Sequence, residues 1–226
     1  MELRHEHRLP VRQVFRAFNH EEVMDYLYSL ILFAVVSSAT PGPNNILVMT
    51  SGLNFGIKKS LPVLCGICVG FSFMLLLVGL GFGQVFELFP RLHVLIKISG
   101  VLYLLYLAWL ISSSSGGLGA KQQSEPLTFL NGALFQWVNA KAWVVATGAI
   151  AAFTVSGGEF STQTITLAGT FLVISFPCVG IWLYFGSWLK RYLNNAAHRK
   201  WFNLSMSGLL VASVLPVIGE LFEQFS

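Results

Sequence analysis

Two polar segments interrupt long apolar runs, and they contain the residue types that could bind a charged solute. The first covers residues 40–45, with the sequence TPGPNN. Proline lacks an amide donor and clashes with the preceding turn, so this segment should end one helix. Pro43 can then open a half-helix whose free N–H groups favour a carboxylate. A simple kink is the alternative, but it would not need so many polar and helix-breaking residues. We therefore predict substrate binding by Pro41, Gly42, Pro43, Asn44 and Asn45.

The second polar segment covers residues 136–141, with the sequence QWVNAK. A lysine at bilayer depth costs about 2.5–3.5 kcal/mol on insertion scales, so Lys141 needs a partner there. Alternatively, the run before Asn139 lies along the cytoplasmic interface and Lys141 extends its ammonium into it. Both alternatives place Gln136, Asn139 and Lys141 near the cytoplasmic side of a helix bundle, where they are candidate substrate ligands.

The elements that position these segments must be membrane helices. Hydrophobic residues make up 54% of the 226 residues and charged residues 11%, against about 25% charged in soluble domains. A bilayer takes roughly 20 consecutive apolar residues per helical span. The net charge of +4 lies in short basic clusters at the ends of apolar runs, which is typical of cytoplasmic flanks and excludes a nucleic-acid partner. We predict an all-α integral membrane protein.

The apolar pattern predicts about six transmembrane helices. The polar segments fall in the first and the fourth of them, at matching places in two sets of three, which indicates two three-helix inverted repeats with the site between them. Within a transporter domain of residues 26–226, the halves cover about 26–111 and 128–222, joined by the linker 112–127. The predicted spans are Tyr26–Met49, Leu61–Phe86, Leu92–Ile111, Phe129–Phe153, Ile165–Leu189 and Leu204–Phe222.

The distribution of basic residues predicts the orientation. The loops after spans one, three and five carry most of the lysines and arginines and should be cytoplasmic, which places both termini outside. The N-terminal segment 1–25 disagrees, because it carries four arginines. Either it is a basic interfacial helix, or translation begins at Met24, which we favour because the charge rule then becomes consistent. A cleaved signal peptide ending near Ala39 fits less well, because it would cut just before the first polar segment.

Glycines and cysteines of the second span allow further interpretations. Gly66, Gly70, Gly79 and Gly83 should let helices approach closely, within one chain rather than in a possible homodimer. Cys65 and Cys68 have the spacing of a redox pair, so the alternative function is a membrane thiol–disulfide electron carrier. Their apolar neighbours disfavour a thiolate, and we favour a packing role. We expect no enzyme activity, cofactor or metal, because the sequence has neither a spaced histidine cluster nor a nucleotide-binding glycine loop.

Three features together resemble the LysE/RhtB family of amino-acid exporters. They are Pro41-Gly42-Pro43-Asn44, the glycine-rich second span, and residues 135–142, FQWVNAKA. The resemblance covers roughly Met24 to the end. The doubled asparagine and the non-proline residue before the lysine look most like the members that export cysteine and O-acetylserine. Many other members have proline where this chain has Ala140.

The resemblance implies multi-pass insertion in the bacterial inner membrane and amino-acid efflux driven by an ion gradient, for which we expect protons. The residues themselves narrow the cargo. No Asp or Glu lies firmly inside a predicted span, whereas lysine or arginine as cargo would call for a buried carboxylate. We therefore expect neutral zwitterions of the cysteine, O-acetylserine, threonine or homoserine type.

Overall fold

The computed structural model describes residues 20–82, 90–113, 125–155, 160–193 and 195–225, and in these ranges every regular element is a helix. This confirms the all-α prediction for the described part of the chain. The arginines of the N-terminal segment and Gly83 lie outside it. The helices are α1 His20–Ala39, α2 Pro43–Phe55, α3 Ile57–Leu77, α4 Pro90–Ser113, α5 Phe129–Val138, α6 Ala140–Phe153, α7 Phe160–Leu189 and α8 Ala196–Phe225. A wide helical turn, Val78–Phe82, follows α3.

Several helices have the length and apolar character of membrane spans. Among the described residues, Ile57–Gly81, Phe160–Leu189 and Ala196–Glu223 qualify singly. The apolar part of α1 with α2 qualifies as a pair bent by 56°, which makes a fourth if the pair is one span. The apolar parts of α4 and α6 are shorter, Ile98–Ser113 and Ala140–Phe153. An all-helical fold with several helices long and apolar enough to cross a membrane is therefore confirmed for the described residues, and the count of six spans in two inverted repeats stays a prediction.

The most extensive helix contacts join elements that are distant in sequence. α2 packs mainly on α7, α3 on α5, and α4 on α8. Glycines make the first two contacts close: a Cβ on Gly66 would overlap the backbone of Phe129, and one on Gly186 would overlap the backbone of Met49. Gly70 likewise lies against α5 at Ala133. Gly79 lies against Thr164 of α7.

Two buried apolar clusters fill the bundle, one on each side of the helix breaks. One contains Leu47 of α2, Phe135 of α5 and Leu183 of α7. The other contains Leu30 of α1 and Ala146 of α6. Other large apolar side chains point outward, including Val144, Val173 and Ile181, each at least 67% exposed. This outward apolar surface suits lipid and would be unfavourable in water.

Candidate functional site

The first break separates α1, which ends at Ala39, from α2, which begins at Pro43. Pro43 opens the new half-helix, as the sequence predicts, and Gly42 precedes it in an extended conformation. The first backbone bond of α2 runs from the N–H of Ile46 to the carbonyl of Gly42 at 3.0 Å. The N–H groups of Asn44 and Asn45 come before that bond, so they belong to the orphan donors of a helix N-terminus.

Side chains from three different helices cap the carbonyl end of α1. Asn45 Nδ2 donates to the carbonyl oxygens of Ser38 at 3.1 Å and Thr40 at 2.9 Å. Trp182 Nε1 donates to the Ala39 oxygen at 3.2 Å. Lys141 Nζ donates to the Thr40 oxygen at 2.7 Å. Bilayer core supplies no water to such carbonyls, so these donors make an interrupted helix tolerable within a span.

The second break is a single residue, Asn139, which ends α5 and begins α6 with extended backbone angles. Its Oδ1 accepts from the Lys141 N–H at 3.2 Å. Gln136 is fully buried and Asn139 only 2% exposed. Because Lys141 reaches Thr40, the QWVNAK segment lies at the level of the first break and not apart from it. Lys141 therefore has a partner, as the first of the two alternatives requires, and its depth in the bilayer stays a prediction.

A network of side-chain amides joins the two breaks. Asn44 and Gln136 donate to each other, with both N–O distances at 3.0 Å. Asn139 Nδ2 also donates to Asn44 Oδ1 at 3.2 Å. Gln136 Nε2 completes its bonding on the carbonyl of Gly132 at 2.9 Å. Asn44 is therefore the centre of the network.

A cleft lies between the two breaks, with a volume of about 460 Å³ that includes its open mouth. No Asp or Glu is among its described lining residues, which are Ser37, Ser38, Gly42, Asn44, Asn45, Ile67, Phe71, Asn139, Lys141, Ala142, Val145, Phe171, Ser175 and Val179.

The predicted substrate ligands take different places around this cleft. Gly42, Asn44, Asn45, Asn139 and Lys141 line it. Gln136 stands behind Asn44 and holds it through the reciprocal bonds. Pro41 and Pro43 shape the first break but are not part of the lining.

Sequence reasoning missed the hydroxyl and aromatic lining of the cleft. Ser38 and Ser175 contribute hydroxyls, and Phe71 and Phe171 form an aromatic pair with centroids 5.2 Å apart. Ser38 stands two residues before the first polar segment, and Ser175 stands two residues before the proline of α7. Those neighbouring prolines were the available signal, because polar residues beside a helix-breaking residue often face a cavity.

Comparison with known proteins places the chain in a family. Residues 35–218 match the family described as LysE type translocator. The chain belongs to this family. It is 35% identical over 126 residues to the cysteine/O-acetylserine efflux protein of Klebsiella pneumoniae, covering 55% of this chain and 63% of that protein. It is 33% identical over 125 residues to the protein of the same name from Escherichia coli K12, covering 54% and 62%. The matched segment spans about three fifths of these relatives. No solved structure matches.

The cysteine pair of this LysE-type chain lies away from the cleft lining. Cys65 is half-buried and Cys68 fully buried. Cys68 packs in the apolar cluster with Leu47 and Phe135. A buried thiol among aliphatic side chains behaves as a small hydrophobic residue. The redox alternative is therefore not favoured.

Proposed function

We propose that this protein exports small neutral amino acids or close derivatives, such as cysteine and O-acetylserine, from the cytoplasm across the bacterial inner membrane. The observation that carries the proposal is the amide network of Asn44, Gln136 and Asn139, which ties two interrupted helices together around one cleft. Interrupted helices facing each other are the usual substrate sites of secondary transporters. The matched relatives are named as efflux proteins.

The cleft offers donors for the carboxylate of an amino acid. Both α2 and α6 begin at it, so the positive ends of two helix dipoles lie at the cleft, and α2 adds the orphan N–H groups of Asn44 and Asn45. The ammonium of Lys141 adds a full positive charge. Among the described lining residues there is no acidic side chain for a cationic cargo. This donor set supports a neutral zwitterion as cargo.

The proposal includes alternating access between two related halves, energised by an ion gradient for which the proton is the first candidate. The packing pairs support the relation between the halves. Exchanging the halves in chain order turns the contact of α1 with α7 into that of α5 with α3, and it leaves the contacts of α3 with α7 and α4 with α8 unchanged. The contact of α2 with α7 has a much smaller counterpart, that of α6 with α3.

Inside-out membrane vesicles containing the full chain provide the test. Uptake of labelled L-cysteine, kept reduced, and of L-threonine would be measured with and without an imposed pH gradient. We expect uptake by the wild type and near-complete loss in Asn44→Ala and Pro41→Ala at equal levels in the membrane. Asn54→Ala is the matched control, since Asn54 lies on α2 and also pairs with another asparagine, Asn203, but does not line the cleft.

The same vesicles separate export from thiol chemistry. Replacing both Cys65 and Cys68 by serine should leave most of the uptake intact. Loss of all uptake in the double serine variant, or full uptake by correctly inserted Asn44→Ala, would contradict the proposed site.

A further inference from the structure

We propose that Asn45, Ser38 and Ser175 form the subsite that recognises the α-ammonium group of the cargo. The inference rests on the proposed export function and deepens it. It begins from an acceptor without a donor. Asn45 is 2% exposed, lines the cleft, and its Oδ1 has no hydrogen-bond partner among the described residues.

The orientation of the Asn45 amide is fixed by its own contacts. Its Nδ2 makes two hydrogen bonds to carbonyl oxygens, those of Ser38 and Thr40. Exchanging the nitrogen and oxygen would place an acceptor against two acceptors. Oδ1 is therefore the atom left for a donor, and a buried acceptor without one is costly. A ligand ammonium, with its three N–H donors, would supply what is missing.

Two hydroxyls continue this acceptor surface. Ser38 Oγ and Ser175 Oγ are 3.4 Å apart, a distance at the long limit of hydrogen bonding, and neither has a closer partner among the described residues. Ser175 is only 4% exposed and belongs to α7, while Ser38 belongs to α1. Both line the cleft, and Ser38 is tied to Asn45 through its carbonyl. A ligand ammonium bound between the two hydroxyls and Asn45 Oδ1 would give each of these three oxygens a hydrogen-bond donor.

The acceptor surface lies beside the proposed carboxylate site. Asn45 Nδ2 and Lys141 Nζ donate to the same carbonyl oxygen, that of Thr40, at 2.9 and 2.7 Å. The positive charge and the unpaired acceptor therefore flank a single backbone group. The two charges of an α-amino acid are separated by two bonds through one carbon, so both can be bound across this short interval. A cleft with donors on one side and neutral acceptors on the other fits a zwitterion whose side chain carries no charge.

Analogues that lack one charge test this assignment. The purified full chain in detergent would be titrated with L-cysteine, with 3-mercaptopropanoate, which lacks the ammonium, and with cysteamine, which lacks the carboxylate, using the shift of thermal unfolding as readout. Wild type should bind L-cysteine at least tenfold more tightly than either analogue. Ser175→Ala should weaken L-cysteine about tenfold, as expected for loss of one hydrogen bond to a charged group. It should leave the Kd for 3-mercaptopropanoate unchanged.

Asn45→Ala is the second variant, and it needs a control because it also removes a cap of α1. Trp182→Phe removes the cap on the neighbouring Ala39 carbonyl, and Trp182 does not line the cleft. Asn45→Ala should lose its preference for L-cysteine over 3-mercaptopropanoate, whereas Trp182→Phe should keep it.

The other possible results distinguish a failure of the subsite from a failure of the export function. Equal weakening of L-cysteine and 3-mercaptopropanoate in Ser175→Ala would overturn the subsite and leave the export function standing. Binding of L-cysteine with these preferences, but no uptake in vesicles, would overturn export and retain the subsite. No binding of L-cysteine, L-serine or L-threonine to the wild type would overturn the subsite.

Discussion

The two helix breaks around the cleft are built in different ways. The first spans residues 40–42, contains proline and glycine, and bends the chain by 56°. Its carbonyls depend on donors from α2, α6 and α7. The second is the single residue Asn139, whose side chain caps the helix it opens. Trp143 Nε1 also donates to the Trp137 oxygen across it at 2.8 Å.

This difference shows that an interrupted membrane helix can be stabilised from outside or from within. The first break is specified by local sequence but satisfied by distant residues. The second has no proline and is satisfied mainly by its own side chains. Substitutions should therefore damage the first break from many places in the chain, and the second mostly from its own residues.

The largest effects should come from the glycines that press each broken span onto its neighbour. Gly186 holds α2 of the first break on α7, and Gly66 holds α5 of the second break on α3. An added Cβ would meet backbone atoms that cannot rotate away, so alanine at either position should cost about 3 kcal/mol or more of unfolding free energy. Unfolding of the variants in mixed micelles measures this loss of free energy. Gly180→Ala is the control on α7, where a Cβ meets open space. Equal stability of the Gly180 and Gly186 variants would refute the close contact.

Alanine substitutions at Asn44 and Asn139 should then show how much each break contributes to stability. Asn44→Ala removes three hydrogen bonds and leaves the buried amide of Gln136 with a single partner. We expect about 2–3 kcal/mol of lost stability. Asn139→Ala removes one of those bonds and a helix cap, so it should cost about 1–2 kcal/mol. The same micelle titration compares them. A larger loss of stability for Asn139→Ala than for Asn44→Ala would contradict this order and mean that the second break stabilises the first.

Lys141 should matter more to export than to stability. In Lys141→Met the Thr40 oxygen keeps the amide of Asn45 as donor, so the loss of stability should be no more than about 1 kcal/mol. Uptake by inside-out vesicles should fall at least tenfold, because the positive charge beside the cleft is gone. Lys200→Met, on the exposed start of α8, is the charge-matched control and should keep uptake. Normal uptake by Lys141→Met would remove the lysine from the site.

The smallest effects should come from exchanging proline between the two helix starts. Ala140 opens α6 as Pro43 opens α2, and Asn139 already has the extended backbone that proline requires of its predecessor. Ala140→Pro should raise stability by about 0.4–1 kcal/mol, and Pro43→Ala should lower it by a similar amount. Thermal unfolding of both variants measures the two changes in stability. Destabilisation by Ala140→Pro would show that the second start differs from the first in more than its residue type.

The sequence predicted the parts of this site that depend on local chemistry. Two prolines and a glycine end one helix and start another through their local backbone chemistry, so the first break could be located from the sequence alone. Some helices run further than the predicted spans: α8 covers Ala196–Phe225 against the predicted Leu204–Phe222. Hydropathy marks only the apolar part, whereas backbone hydrogen bonding continues into polar ends.

The parts that depend on tertiary contact could not be predicted. The break at Asn139 has no proline, and the residue types alone do not show that Lys141 donates to the Thr40 carbonyl. The reciprocal bonds of Asn44 and Gln136 join residues 92 positions apart. Ser175 reaches Ser38 across 137 positions. Such pairings follow from the register of whole helices, which a pattern of residue types does not contain.

The glycine contacts have a mechanical consequence. Their closest approaches, Gly66 to Phe129 and Gly186 to Met49, each join one helix from the first half of the chain to one from the second. The two halves are interleaved, and neither is a separate block. A motion that separated the two halves as rigid blocks would have to break both of these close helix contacts. The order of the helices along the chain thus differs from their grouping by close contact.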